Sequence, residues 1–251
     1  MIRALILFLM LGTASAAETV VLGLSRNEVA ITATFDGSEI LIFGAVRREQ
    51  PIPDDSPLHV IITVAGPSEP LVIRRKDRVA GIWINTEGME IDSAPSFYAI
   101  STTGPLHDVV SWTEDLRHHI SIPRSIRAVG ATEGITEPQK FREALIRIRT
   151  RDGAYQLREG TIDLEEETLF NTSVRLPANL TEGNYTTRIF LARNGEVIDD
   201  YEAVIAVQKV GLERWLYALS IEQPLIYGLL SLVIAIAAGW GASAVFRAFQ
   251  R

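Results

Sequence analysis

Hydrophobic positions along this chain recur with three different spacings, and each spacing marks out a region. From Thr19 to about Ile91 the dominant spacing is two. Val29, Ile31, Ala33 and Phe35 alternate with Ala30, Thr32 and Thr34, as in a strand with one buried face. Asp36-Gly37 is a hairpin-type pair that leads into a second strand over 40–45. Leu58, Val60, Ile62 and Val64 alternate next, and Gly66-Pro67-Ser68 interrupts that run before 71–73 resumes it. The same spacing returns at Phe170, Thr172, Val174 and Leu176, and again at Thr187, Ile189 and Leu191. Asn194-Gly195 then turns the chain into Tyr201, Ala203, Ile205 and Val207. Gly183 stands two residues before Tyr185 at the start of a strand, the spacing of the tyrosine corner of immunoglobulin-like sandwiches. Short strands at these intervals predict a mainly β fold, an immunoglobulin-like antiparallel sandwich. Whether the two blocks of strands make one sandwich or two is left open.

The second spacing is helical. A helical insertion is expected at about 106–152, with a short helix in 106–119 and a longer one over 137–150. In the longer helix Phe141, Ala144, Leu145 and Ile148 share a face. Thr136 and Gln139 have capping-box spacing, Pro138 suits the first turn, and Gly153 suits the stop. The stretch 95–104 carries no clear period and no element is assigned to it. Over 211–223, Leu212, Trp215, Leu216 and Leu219 gather on one side while Glu213 and Arg214 point away. Such a juxtamembrane helix fits the headgroup level of a bilayer, and equally the surface of the sandwich.

The third region has no polar interruption at all. Residues 225–246 read LIYGLLSLVIAIAAGWGASAVF without one charged side chain. About 20 such residues at about 1.5 Å each cross a hydrocarbon core of about 30 Å. A transmembrane helix is therefore expected over 224–246. At the other end, Arg3, the apolar run 4–11 and Ala14-Ser15-Ala16 have the order of a secretory signal over 1–16. An exported start followed by one stop-transfer helix is expected to place 17–210 outside the cytoplasm and 247–251 within it. Lys209 and Arg214 on one flank balance Arg247 and Arg251 on the other, so loop charge does not decide the orientation.

Composition narrows the chemistry. There is no cysteine, which removes thiol catalysis, disulfides and Cys-based zinc sites. The formal net charge of −7 repels phosphates and argues against a nucleic-acid partner. The four histidines show no metal-ligand spacing, and adjacent His118 and His119 point to different faces of any regular element. No GxSxG, SxxK or P-loop pattern occurs, so neither an enzyme nor a cofactor site is expected. Glu165-Glu166-Glu167 reads as a solvated acidic loop.

Three features point to recognition. Arg74, Arg75, Lys76 and Arg78, just ahead of Trp83, form a basic run suited to a partner or an anion, although a solvated strand end has the same appearance. Lys140, Arg147 and Arg151 give the middle helix a basic face with the same two readings. In the apolar helix Ser231, Ala235, Gly239 and Ser243 recur every four residues, a stripe of small side chains on which a second helix can approach closely. Pairing with another copy and pairing with a different membrane protein both fit.

Five stretches carry a resemblance: FDGSEILIFGAV (35–46), RRKDRVAGIWIN (74–85), LPANLTEGNY (176–185), VGLERWLY (210–217) and YGLLSLVIAIAAGW (227–240). On these, spread over nearly the whole chain, the protein resembles the alphaproteobacterial transmembrane protein family of the Alph_Pro_TM type. The resemblance brings no catalytic residues with it. It implies a periplasmic accessory role beside a sulfite or organosulfonate exporter-type permease. The expectation is a membrane-anchored accessory or scaffold protein, with a periplasmic sensing or ligand-binding module for an anionic solute as the alternative.

Overall fold

The alternating runs do become strands, and their buried positions show how the layers stack. The computed structural model describes residues 18–25, 28–31, 37–48, 56–128, 137–209 and 212–249. One four-stranded sheet has the order β1 (Glu18–Leu24), β3 (Ser38–Arg48), β10 (Leu169–Leu176), β9 (Asp163–Glu165). Its inner face is made by the period-two set: Ile40, Ile42 and Val46 on β3, and Phe170, Thr172, Val174 and Leu176 on β10. Thr172 lies beside Ile42 and Val174 beside Ile40, so the register brings the buried residues together. Leu41 and Phe43 face outward.

The larger sheet runs β2 (Glu28–Ile31), β12 (Glu196–Lys209), β11 (Gly183–Arg193), β4 (Leu58–Ala65), β7 (Tyr98–Thr102), β8 (Tyr155–Arg158). Its middle strands are buried on both faces. On β4, Val60, Ile62 and Val64 are buried, and so are Ile61 and Thr63 between them. The Ile61 face belongs to a core with Tyr98, Ile100, Phe190 and Ala192. That core is closed by helices α1 (Leu106–Val109), α2 (Trp112–His118), α3 (Ile122–Ser125) and α4 (Pro138–Arg151). Helix α4 contributes Phe141 and Leu145 of its predicted apolar face to it, while Ala144 of that face is half-buried outside this core and Ile148 is exposed. Asn194 (φ 54°) and Gly195 (φ 79°) form the expected turn between β11 and β12. Tyr185 makes the tyrosine-corner bond, its hydroxyl donating to the Thr181 carbonyl at 2.9 Å. The fold is mainly β with a helical insertion, compatible with an immunoglobulin-like arrangement.

Several expectations need correction. The sheets are not wholly antiparallel, because β7 and β8 pair in parallel. A parallel pair needs a crossover, and the helical insertion supplies it. No β2–β3 hairpin forms among the described residues: β2 pairs in the larger sheet and β3 in the smaller. The unassigned stretch 95–104 holds β7, whose five residues are all buried, so a one-sided alternation never arises. Helix α4 has Glu137 at its N-cap without a side-chain cap bond, and Pro138 in the first turn. Thr136 lies outside the described residues, as do the expected signal over 1–16 and residues 32–36.

Glu167 is not a solvated loop acid. Arg48 donates to Glu18 at 2.7 Å, and Arg193 donates to Glu18 at 3.0 Å and to Glu167 at 3.2 Å. Arg193 also donates to the Ser56 carbonyl, and Arg48 to that of Glu167. The Glu18, Arg48 and Arg193 side chains keep about a tenth of their exposure, and the cluster joins the first strand of one sheet to β11 of the other.

The C-terminal unit is helical. α5 (Leu212–Glu222) is followed by α6 (Pro224–Phe249), which runs three residues past the expected end at 246. Residues 224–243 are long and apolar enough to cross a membrane, and none of that segment is buried within the protein.

Two outcomes follow from the buried polar groups. Arg193→Met leaves Glu18 with Arg48 alone and removes the shorter of Glu167's two ion pairs, and is expected to cost about 1–3 kcal/mol in denaturant unfolding; a loss below about 0.5 kcal/mol contradicts that account. Burial pushes the Tyr155 phenol up to about 12 from the ordinary 10. The folded state therefore favours the neutral phenol, and its stabilising contribution is complete below about pH 10 and disappears as pH rises toward about 12. Unfolding free energy is expected to fall across that window, and to fall less steeply in Tyr155→Phe.

Candidate functional site

The basic run lies on a structure the rest of the chain does not share. β5 (Ser68–Val79) and β6 (Ile82–Pro95) pair with each other as a two-stranded sheet, and β6 has one isolated bridge, from Ser93 to Arg127. Their base is tied to the core by Leu71, Ile73, Met89, Ile91 and Ala94. The remainder is a long exposed hairpin closed at Ala80 (φ 51°) and Gly81 (φ 88°). Both turn residues have positive φ, which matches the right-handed twist of the flanking strands.

The register shifts between Arg75 and Lys76. The extra residue of this bulge is Thr86 of β6, opposite Arg75 and Lys76. Here Arg74, Arg75 and Lys76 all line one groove of about 560 Å³, between β5 and the outer side of α4. Lys140 and Arg147 of α4 line it from the opposite side, with Ala144 between them and Glu143 as the acidic residue among the described lining. Two basic segments about 65 residues apart in sequence thus converge.

Pairing within the groove is uneven. Arg75 meets Asp77 at 3.3 Å and Glu87 at 3.1 Å. Lys140 meets Glu137 at 2.7 Å. Arg74, Lys76 and Arg147 form no ion pair with any described residue. The Thr86 hydroxyl, donating to Asp77 at 2.5 Å, holds that carboxyl below its ordinary range; desolvation opposes this, and the Arg75 charge and hydrogen bond add to the lowering. Asp77 is therefore charged near neutrality and pairs with Arg75, and Glu137 pairs with Lys140, which leaves Arg74, Lys76 and Arg147 without an ion pair among the described residues.

The other two residues of the run stand at the tip. Arg78 donates to the Gly81 carbonyl at 3.3 Å and lies directly across from Trp83. Trp83 is 68 % exposed and Ile82 65 %, with Val79 and Ile84 exposed beside them. Arg151 pairs with Asp152 and takes no part in the groove. Ser231, Ala235, Gly239 and Ser243 lie on α6 at intervals of four, on one exposed side. A Cβ at Gly239 would meet nothing within 4 Å, and the Ser231 hydroxyl is turned back onto the Tyr227 carbonyl at 2.9 Å.

The histidines are dispersed. His59 Nδ1 lies 3.1 Å from the Thr103 hydroxyl, and His118 Nε2 3.4 Å from Glu114. No group of three side chains able to hold a metal ion comes together among the described residues. What the sequence did not signal is the meeting of the hairpin with α4, because nothing in either segment specifies the other as its neighbour.

No curated protein matches the chain. Residues 19–248, from the first strand through the apolar helix, match the model of the family described as "Putative transmembrane protein (Alph_Pro_TM)". The match takes in the hairpin, the groove and the candidate span together, and the chain belongs to this transmembrane protein family.

Proposed function

We propose that this protein is a membrane-anchored, non-catalytic accessory protein whose β-rich region holds an acidic segment of a partner in the groove between the β5–β6 hairpin and α4. The observation that carries the reading is the convergence of Arg74, Lys76 and Arg147, without acidic partners among the described residues, in a chain of net charge −7. Like charges placed together cost energy unless a complementary partner offsets them, so the cluster favours an anionic occupant. Arginine adds a planar fork that carboxylates can meet with two parallel bonds. The exposed Trp83 and Ile82 at the tip would supply the apolar contact that a charged groove lacks.

In this reading α6 crosses the bacterial inner membrane, with the β-rich region in the periplasm and the C-terminus in the cytoplasm. Its stripe from Ser231 to Ser243 would pack against a helix of the same partner. The family resemblance suggests an exporter-type permease as that partner.

The test is recovery of the tagged protein in mild detergent. The parent is expected to bring down a membrane protein with an acidic exported segment. Arg74→Glu with Arg147→Glu should reduce that recovery at least about tenfold while the melting transition is retained. Ala235→Leu with Gly239→Leu should weaken it separately, by obstructing close helix approach. A parent that is recovered alone, or a charge-reversed variant that retains its partner, contradicts the groove.

A further inference from the structure

A second cleft, on the other side of α4, has an even more one-sided lining. It has a volume of about 640 Å³ and lies between the end of β7's neighbour β4, the α2–α3 region and α4. Arg124, Arg127, Arg142 and Arg188 line it with His119 and Tyr98, and its described lining contains no carboxylate. The remaining wall is apolar or serine, so no protein charge among those residues balances the four guanidiniums.

Two of the arginines show what the cleft is prepared for. Arg188 is fixed by its own acceptors: it donates to the His118 carbonyl at 2.8 Å, to the His119 carbonyl at 3.3 Å and to the Tyr98 hydroxyl at 3.4 Å. Its charge is therefore held in place while its acceptors are neutral. Arg142 keeps its Nε buried with no hydrogen-bond partner among the described residues. A buried donor on a charged group without an acceptor is costly, and such groups normally find a partner in protein, water or ligand. Arg127 is anchored through its backbone, which exchanges bonds with Ser93 at 2.8 and 3.1 Å, and its side chain is exposed. Arg124 stacks over Trp112, 5.3 Å from the ring centroid.

We infer that this cleft is a binding site for a small solute bearing two or more oxyanionic charges, either phosphoryl groups or carboxylates. Four arginines require more than one negative charge to balance them, and guanidinium forks suit both kinds of oxyanion. The volume lies in the range of metabolite sites, too small for a folded partner. The site is separate from the hairpin groove and does not depend on it; it adds solute binding to an anchoring role.

Calorimetric titration of the full chain in detergent, at about 50 mM salt to limit screening, tests this with pyrophosphate and citrate as probes and glucose as the neutral control. At least one anion is expected to bind with Kd below about 1 mM, and glucose not at all. Whichever anion binds tells phosphoryl from carboxylate recognition. Arg127→Gln with Arg142→Gln should weaken binding at least about tenfold. If that pair loses its melting transition, Arg127→Gln alone, at an exposed side chain, should still weaken it about threefold. Arg175→Ala, exposed on β10 and lining neither the groove nor the cleft, should leave the affinity unchanged. Absence of binding by both anions at about 10 mM overturns the inference. So does a cleft variant that binds like the parent, or an equal loss of binding in Arg175→Ala.

Discussion

The larger sheet is apolar on both faces, and the rest of the β-rich region is arranged to cover it. Val60, Ile62 and Val64 need one cover, while Ile61, Ile100 and Phe190 need another. Burying an aliphatic side chain of this size is worth about 1.5–3 kcal/mol, so neither face can be left to water. The four-stranded sheet closes one side with Ile40, Ile42, Phe170 and Val174. The helical insertion and the base of the hairpin close the other. The parallel β7–β8 pair is a consequence, since a chain that leaves the sheet to cover its face must cross over before it returns.

The same constraint places the charges. Phe141 and Leu145 turn one side of α4 into the core, which leaves Lys140 and Arg147 on the side that meets β5. Ile73 holds the hairpin to that core, and Arg74, Arg75 and Lys76 of β5 line the groove against α4. Arg142, two residues from Lys140, faces the second cleft instead. A single helix thus separates two basic surfaces of an acidic chain. Where charge serves stability it is compensated: Glu18, Arg48, Glu167 and Arg193 meet in pairs near the start of β1. In the groove and the cleft much of it is not.

Periodicity made much of this legible. β10, β11, β12 and the Asn194-Gly195 turn follow from alternation and turn chemistry, and Tyr185 from its spacing to Gly183. α4 follows from its apolar face, and α6 from the absence of charge. β7 escaped notice because a strand buried on both faces has no alternation to read. Glu167 reads as one of three acids in a loop until the fold brings Arg48 and Arg193 to it. Each half of the groove was visible as a basic segment, yet their meeting depends on which core α4 joins. Arg124, Arg127, Arg142 and Arg188 are scattered through three elements and a connecting loop, and only the fold gathers them.

The central claim is that the hairpin–α4 groove is the working surface of a membrane-anchored protein. Its most direct test is a photo-crosslinking side chain at Ala144, inside the groove, compared with one at Asn171, exposed on β10. Crosslinking would be carried out in intact native membranes. The account predicts one dominant adduct from Ala144, carrying an acidic segment of a membrane protein, and none of that adduct from Asn171. Absence of any adduct at Ala144, or the same adducts from both positions, would contradict it.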